Sequence, residues 1–242
     1  MECETMKYGK ALDFLLFSYF GCDCKADEET MKNSAAHRAY LDLARTVRFV
    51  YSSSYIDEHK NEESVKQFTK AKEGRIKDIC ESLIKSIDSY PDSSADFDDW
   101  HKKECTRIIE KMEKPYCCEK KLLKPNEKFT YGQAQKWMNM TLKYLWLLDL
   151  LPKEIKEESL HVPIDSFILQ KLKENNVPVP GVTGSGEAYY YNGKTWSAMD
   201  RYEADYMKLQ SKIREIAEES SLNPIQWEGP AWMEIARERS AK

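Results

Sequence analysis

The sequence contains no run of apolar residues long enough to cross a membrane, which takes about 18 to 20 of them in succession. We therefore expect no membrane partner. Glycine and proline are sparse, with nine of each in 242 residues, and 12% of the residues are aromatic. These values argue against disorder. Because 41% of the residues are hydrophobic, we expect a soluble globular protein with a substantial core.

The sequence also lacks paired C-x-x-C motifs with a downstream histidine, the usual pattern of a structural zinc site. Its cysteines are odd in number and irregularly spaced. They are Cys3, Cys22, Cys24, Cys80, Cys105, Cys117 and Cys118. We expect no metal and no other cofactor, and we expect the cysteines to be reduced thiols of a cytoplasmic protein.

Strong positive charge is absent too, since the formal net charge is −4. A protein that holds nucleic acid through bulk electrostatics is usually basic. The segment 101–128 is different, because its eight lysines and one arginine stand against five glutamates. Within it, Lys124 and Lys128 are candidates for contacts to a DNA backbone. An ordinary solvated surface is the alternative interpretation.

Helical periodicity dominates the sequence, and alternating strand patterns are almost missing, so we predict a mainly α fold with at least seven helices. One small hairpin is predicted around Asn192-Gly193. A loop near residues 91–97 suggests an N-terminal helical subdomain over 1–96 and a second subdomain over 97–242. The predicted helices cover 7–20, a span starting after Ser34, 62–87, a span capped by Asp98 or Asp99, 129–151, a span opened by Asp165, a span starting at Ser197, a short helix from Asn223 and a last one over 232–239.

The segment 129–172 combines strong helical periodicity with candidate catalytic groups. At about 100° per residue, Lys136, Asn139 and Lys143 fall within an arc of roughly 60°, opposite a broad apolar face. Asp165 is expected to open the following helix. Taken singly, a lysine on a polar helix face is usually solvated, and an aspartate at a helix start is usually only a cap.

Four short motifs in the second half of the chain are more specific. They read YGQAQKWMNMTLKYLWLL, HVPID, TWSAMDRYEADY and WEGPAW. With them, residues 97–238 resemble the helix-hairpin-helix DNA glycosylase superfamily, and more narrowly the 8-oxoguanine-DNA-glycosylase-like proteins. The resemblance implies a multi-helix fold and a duplex DNA partner from which a modified base is flipped and excised. In a microbe, that base could belong to phage DNA.

The resemblance also assigns the chemistry. Asp165 of the Val162-Pro163-Ile164-Asp165 motif would be the catalytic carboxylate, and Lys136 would be the nucleophile that forms a Schiff base and links base removal to strand cleavage. Lys143 is the alternative nucleophile, or a second cation beside Lys136. In the related proteins a Leu-Pro-Gly-Val-Gly turn holds a DNA phosphate, whereas this chain has 130–135, TYGQAQ. There, Gly132 is the one candidate for a close backbone approach to phosphate.

Further pocket candidates surround these two residues. The C-terminal helix is expected to close over the flipped base, which nominates Trp227 and Glu228, while Gln133 and Asn139 would read its polar edge. His161 and Ser166 flank Asp165 and would orient it or contact a phosphate. A further group of aromatic side chains could stack on the base, although most aromatics at helical spacing belong to a core. They are Trp137, Trp196, Trp227 and Trp232.

Three functions stay open at this point. The first is a DNA glycosylase, with or without lyase activity, which the lysine and the aspartate favour. The second is a catalytically silent protein of the same fold that binds nucleic acid or a protein partner, which the altered turn and the negative charge favour. The third is a helical adaptor with no nucleic-acid role, which predicts no salt-dependent retention on DNA.

Overall fold

The computed structural model describes residues 9–23, 25–91, 96–175, 179–185 and 188–241. Within these ranges the chain is mainly helical, as predicted, and no helix there is both long and apolar enough to span a membrane. The α-helices are α1 (Gly9–Phe20), α2 (Glu28–Ala44), α3 (Ser53–Glu58), α4 (Glu63–Asp88), α5 (Phe97–Glu113), α6 (Tyr131–Leu147), α7 (Ser166–Glu174), α8 (Met207–Glu219) and α9 (Pro224–Ser240). The strands β1 (Val182–Ser185), β2 (Ala188–Tyr191) and β3 (Lys194–Thr195) form an antiparallel sheet in that order.

Helix α6 lies at the centre of the molecule, between α2 and α5. Thr130 and Gln133 cap its start through a reciprocal capping box, which the sequence TYGQ permits. Most of its residues are buried, including polar ones, so the helix is packed on nearly all sides. Its apolar residues join one hydrophobic cluster that contains residues from both predicted subdomains, such as Leu43 and Leu145. The division at residue 96 itself stays a prediction.

Five predicted helix boundaries were wrong. Helix α5 is capped by Asp96, whose carboxylate accepts the amide hydrogen of Asp98, and not by Asp98 or Asp99. Helix α6 ends at Leu147, four residues before the predicted end. Helix α2 begins after Asp27, whose carboxylate accepts the amide hydrogen of Thr30, and not after Ser34. The region 197–206 forms a short 3₁₀ turn and a π-helical turn, so α8 starts only at Met207. Helix α9 runs without a break through Pro230. Its packing against α7 and α8 outweighs the local cost of one lost backbone hydrogen bond.

The predicted hairpin at Asn192-Gly193 is present between β2 and β3. Both turn residues have positive φ, 49° and 74°, as a two-residue turn with the twist of the flanking strands requires. Strand β1 was not predicted, because it lies in a segment rich in glycine and proline. The sheet packs against α7 and so supports the helix that Asp165 opens.

Candidate active site: a buried lysine–aspartate pair

A cleft of about 590 Å³ opens between α1, α2, α6, α7 and α9. Both residues predicted to be catalytic, Lys136 and Asp165, lie on its wall. Lys143 and Glu228 also line it. We call this recess the Lys136 cleft. It brings together side chains from distant parts of the sequence, and it is large enough to admit a nucleobase.

Asp165 is held by its backbone neighbours through one carboxylate oxygen. Its φ of −141° places it just outside α7, and Oδ1 accepts the amide hydrogens of Phe167 at 2.9 Å and Ile168 at 3.0 Å. The preceding Pro163 favours extended backbone at Val162, which suits a chain entering a helix from outside. The aspartate is therefore a true N-cap, and its second oxygen, Oδ2, is free to face the cleft.

That second oxygen makes the central contact of the site. Lys136 Nζ donates to Asp165 Oδ2 at 2.8 Å, and the indole Nε1 of Trp232 donates to the same oxygen at 3.3 Å. The side chains of Lys136 and Asp165 are only 7% and 13% exposed. Burial alone would raise the pKa of the Asp165 carboxyl, but the Lys136 charge and the hydrogen bonds outweigh it and lower that pKa.

A second lysine–carboxylate pair lies two turns further along α6. Lys143 contacts Glu228 of α9, whose side chain is almost completely buried. The two lysines share one face of α6, and each is neutralised by a carboxylate from a different element. This side of the cleft thus presents two compact ion pairs.

The wall of the cleft towards α1 and α2 combines hydroxyl and carboxylate groups with the apolar Leu16 and Phe20 and the cation Arg45. Tyr144 donates its hydroxyl to Asp42, which also accepts from Arg38 at 2.8 Å. The hydroxyls of Tyr19 and Tyr144 are 2.7 Å apart. Burial, followed by the charge of Asp42, raises the pKa of the Tyr144 phenol, so this group is a neutral donor at physiological pH.

Aromatic rings close the cleft near the aspartate. The rings of Phe167 and Trp232 are stacked, with centroids 4.7 Å apart and planes inclined by 23°. The guanidinium of Arg239 lies 4.0 Å from the centroid of the Phe167 ring. Of the four tryptophans predicted as candidates for stacking on a base, Trp232 is the one that lines this cleft. Its indole also fixes the position of Asp165.

Two buried glutamines hold the backbone that leads to Asp165. The Gln135 amide donates to Ile164 O at 3.0 Å and accepts from Ile164 N at 3.2 Å. The Gln210 side-chain amide likewise donates to Val162 O at 2.7 Å and accepts from Val162 N at 3.1 Å. Each side-chain amide therefore makes the pair of backbone hydrogen bonds that a neighbouring β-strand would otherwise make. The buried backbone groups of Val162 and Ile164 are satisfied in this way without a sheet.

Asn139 and His161, which were predicted to meet the substrate, lie in a buried network away from the Lys136 cleft. Asn139 donates to Tyr206 Oη at 2.9 Å, and His161 contacts Tyr206 and Asp98 at 2.8 and 2.7 Å. His101 accompanies them, with Nε2 2.6 Å from Asn139 Oδ1. Burial lowers the pKa of both histidines. The network joins α5, α6 and the π-helical turn before α8.

Four more predicted contact residues lie outside the Lys136 cleft. Trp137 is completely buried and donates to Ala36 O at 2.9 Å, because its ring belongs to the core between α2 and α6. Gln133 is engaged in capping α6. Trp227 is part of the hydrophobic core, and the hydroxyl of Ser166 accepts from Arg239 at 3.2 Å.

Gly132, the predicted candidate for a close approach to phosphate, packs closely against the protein itself. Its amide donates to Met199 O at 2.7 Å, so it has no hydrogen left to offer a ligand. A Cβ at this position would lie 2.0 Å from the carbonyl oxygen of Trp196. Glycine is required here because a protein backbone, rather than DNA, approaches closely.

The two predicted backbone-contact lysines lie in a different recess. Lys124 and Lys128 line a groove of about 750 Å³ that includes Lys120 and Lys121 but no residue of the Lys136 cleft. Three glutamates share the groove and offset much of its positive charge. They are Glu113, Glu119 and Glu127.

Some residues of the cleft had no signal in the sequence. Asp42 lies 102 positions before Tyr144, its partner in the cleft, and Tyr144 itself fits the apolar face of α6. Gln135 sits inside the conspicuous 131–148 motif, yet nothing in its spacing indicates a backbone clamp. Glu228 was predicted for the pocket, and it lies there as the partner of Lys143.

Comparisons with protein-family models, with curated proteins and with solved structures gave no match to this chain. Its function is therefore argued from the chemistry of the Lys136 cleft.

Proposed function

We propose that the chain is a DNA N-glycosylase, with associated lyase activity, that excises a modified base flipped into the Lys136 cleft, within a glycosylase-like helical architecture. One observation carries the proposal. A primary amine and a carboxylate, 29 positions apart in sequence, meet at 2.8 Å on the wall of a recess of about 590 Å³. A flipped base needs such a recess, since its glycosidic bond cannot be reached inside the duplex.

The chemistry follows from these groups. Positive charge develops at C1′ of the sugar as the bond to the base breaks, and the negative charge of Asp165 stabilises it. The Lys136 ammonium first gives a proton to water. The neutral amine then attacks C1′ as the glycosidic bond breaks, the bonding electrons leave with the base, and the base takes up a proton from water. As the C1′–O4′ bond breaks, one proton of the new C1′–nitrogen group passes to O4′, which leaves a protonated Schiff base through which the strand is cleaved.

The remaining groups of the cleft suit recognition of a base. Trp232 offers apolar ring surface to the cleft, and a stacked base gains about 1 to 3 kcal/mol from such a contact. The Asp42 carboxylate and the Tyr144 hydroxyl offer an acceptor and a hydroxyl group to polar base edges. Lys143 and Glu228 compensate each other's charge, so an uncharged ligand can contact both without leaving a buried charge unpaired.

A catalytically silent, nucleic-acid-binding protein is the second candidate. Its support is the engaged amide of Gly132 and the separate location of Lys124 and Lys128, since none of these predicted phosphate contacts lies in the Lys136 cleft. This candidate predicts salt-dependent DNA retention without any base release.

Borohydride trapping tests the two candidates. The full-length chain is incubated with duplexes carrying oxidised, alkylated, deaminated or otherwise modified bases, and the Schiff base is reduced to a stable secondary amine. We expect a covalent adduct with at least one duplex and its loss in Lys136→Gln. If the adduct survives in Lys136→Gln but not in Lys143→Gln, the nucleophile is Lys143. No adduct and no abasic product from any duplex would refute the glycosylase.

Lys32→Gln is the matched control for this experiment. Lys32 is also buried, and its ammonium contacts Asp88 at 2.7 Å and Glu28 at 2.6 Å, but in a different groove. We expect the Lys32→Gln variant to form the adduct as the unmodified chain does. Loss in both variants would point to a general effect of removing a buried lysine.

A further inference from the structure

Two adjacent cysteines form an exposed pair in a tight turn after α5. The amide of Lys120 donates to Cys117 O at 2.8 Å, and the amide of Tyr116 donates to Lys120 O at 2.9 Å, which closes a two-residue turn over Cys118 and Glu119. Both thiols are exposed, and their sulfur atoms lie 3.9 Å apart. The turn adjoins the groove that contains Lys124 and Lys128, which shares no lining residue with the Lys136 cleft.

The backbone explains why neighbouring side chains meet. In extended chain, successive side chains point to opposite faces, which would separate the two thiols. Cys118 instead has a φ of +49°, a left-handed conformation that few residues other than glycine adopt. The turn breaks the alternation and places both sulfur atoms on one side.

The separation of the sulfur atoms indicates what could join them. A disulfide requires about 2.05 Å, so the two thiols are too far apart to be bonded as they stand. One atom bonded to both sulfurs at about 2.3 Å would hold them about 3.8 Å apart if its bonds are tetrahedral, and about 3.4 Å apart if they are pyramidal with angles near 95°. At 3.9 Å, the two sulfur atoms can reach either separation after a small rotation of their side chains.

The surroundings narrow the choice of bridging atom. Across the part of the chain that the structure describes, no group of three or more His, Cys, Asp or Glu side chains could hold a metal ion. A closed zinc site takes four protein ligands, so this pair is not half of one. The protein supplies only the two thiolate bonds. Any further substituent of the bridging atom must therefore belong to the ligand itself.

We propose that Cys117 and Cys118 form a chelating dithiol site for trivalent organic arsenicals. An arsenic atom carrying one organic group and one oxo group has two valences to exchange. Its two bonds to oxygen are replaced by one bond to each sulfur, and the two thiol protons leave with the oxygen as one water molecule. The oxidation state of arsenic does not change, so no oxidant or reductant is needed.

Phenylarsine oxide is the probe that tests this site. The reduced, folded full-length chain is incubated with it and then with excess glutathione, and the retained adduct is measured by intact mass and by thiol titration. We expect one arsenical per chain, two fewer titratable thiols, resistance to glutathione, and release by a dithiol such as 2,3-dimercaptopropanol. An adduct that glutathione removes would overturn the proposal, since a single thiol bond is not a chelate.

Single serine variants locate the site. Cys117→Ser and Cys118→Ser are each expected to abolish the glutathione-resistant adduct, because each leaves one thiol of the pair. Their exposed positions in a turn leave the core unaltered, which an unchanged thermal midpoint checks. Cys22→Ser is the control and is expected to keep the adduct. An adduct that persists in Cys117→Ser or Cys118→Ser, or disappears in Cys22→Ser, would place the arsenical elsewhere and refute the assignment.

Discussion

The contact between Lys136 and Asp165 makes a measurable prediction for stability. At 2.8 Å and an effective dielectric constant of about 20, the two charges attract each other by about 6 kcal/mol before desolvation is counted. Desolvation of both groups offsets much of this gain. Removing one partner of such a buried pair costs about 3 to 5 kcal/mol, because the other charge stays buried without its counter-ion.

We expect Lys136→Met to lower the free energy of unfolding by about 3 kcal/mol, near the lower end of that range. Methionine keeps the unbranched stem of lysine in the packed wall. Without Lys136, the Asp165 carboxylate would still accept hydrogen bonds from two backbone amides and from Trp232, which limits the loss of stability. For a chain of this size, the loss corresponds to a fall in melting temperature of about 6 to 12 °C.

A double-mutant cycle with Asp165→Asn separates the pair from its surroundings. Urea denaturation at pH 7 of the parent chain, Lys136→Met, Asp165→Asn and the double variant gives the four free energies. We expect the double variant to lose about 3 kcal/mol less than the sum of the single losses. Strictly additive losses would show that the two charges do not stabilise each other, and the reasoning would fail.

Lys32→Met is the control for burial of a lysine stem. The side chain of Lys32 is 10% exposed, but its partners Glu28 and Asp88 are 65% and 43% exposed and stay solvated when it is removed. We expect a loss below about 1 kcal/mol. An equal loss in Lys32→Met and Lys136→Met would assign the effect to packing instead of charge.

Three further predictions concern the scaffold. Burial lowers the pKa of His101 and of His161, so the unfolded chain binds protons at a higher pH than the folded chain does. The free energy of unfolding should therefore fall as the pH drops below about 6.5, by up to about 1.4 kcal/mol per pH unit for each histidine. Urea denaturation at a series of pH values should show that His101→Asn removes the contribution of one histidine to this slope. Gly132→Ala should lower the free energy of unfolding by about 3 kcal/mol, because the added Cβ would clash with backbone atoms. Gly74→Ala, in open space within α4, should raise the free energy of unfolding by about 0.5 to 1 kcal/mol. Melting temperatures and urea denaturation measure both changes. Gln135→Leu should cost about 2 to 4 kcal/mol, since the buried amide and carbonyl of Ile164 lose their partner, and an unchanged urea midpoint would contradict the clamp.

Local rules predicted the elements whose packing agrees with their own sequence pattern. Helix α4 follows its apolar spacing almost to the residue, and Asp165 caps α7 as the motif indicated. The rules failed where packing competes with local preference. Pro230 breaks an isolated helix pattern, yet α9 continues because it is anchored on both sides of the proline. The start of α2 was misplaced because its polar first turn has no apolar periodicity.

The candidate site was predictable only in part for a related reason. The helical wheel places Lys136, Asn139 and Lys143 in one stripe. On an amphipathic helix with one solvent-exposed face, all the residues of such a stripe would lie in the same environment. Helix α6 is packed on nearly all sides, so an arc of roughly 60° spans two environments. The lysines reach the cleft, whereas Asn139 enters the buried network with Tyr206. Which neighbour meets each side chain depends on tertiary packing.

The two oxygens of Asp165 allow the structural and chemical roles of this residue to be separated. Oδ1 caps α7, and asparagine caps helices about as well as aspartate, so Asp165→Asn keeps the helix start. Oδ2 faces Lys136, and there the substitution removes the charge. In the proposed reaction only that charge stabilises C1′. Loss of base release in Asp165→Asn, with a native circular dichroism spectrum, would therefore report on the chemistry of Oδ2, whereas full activity would exclude the carboxylate from the reaction.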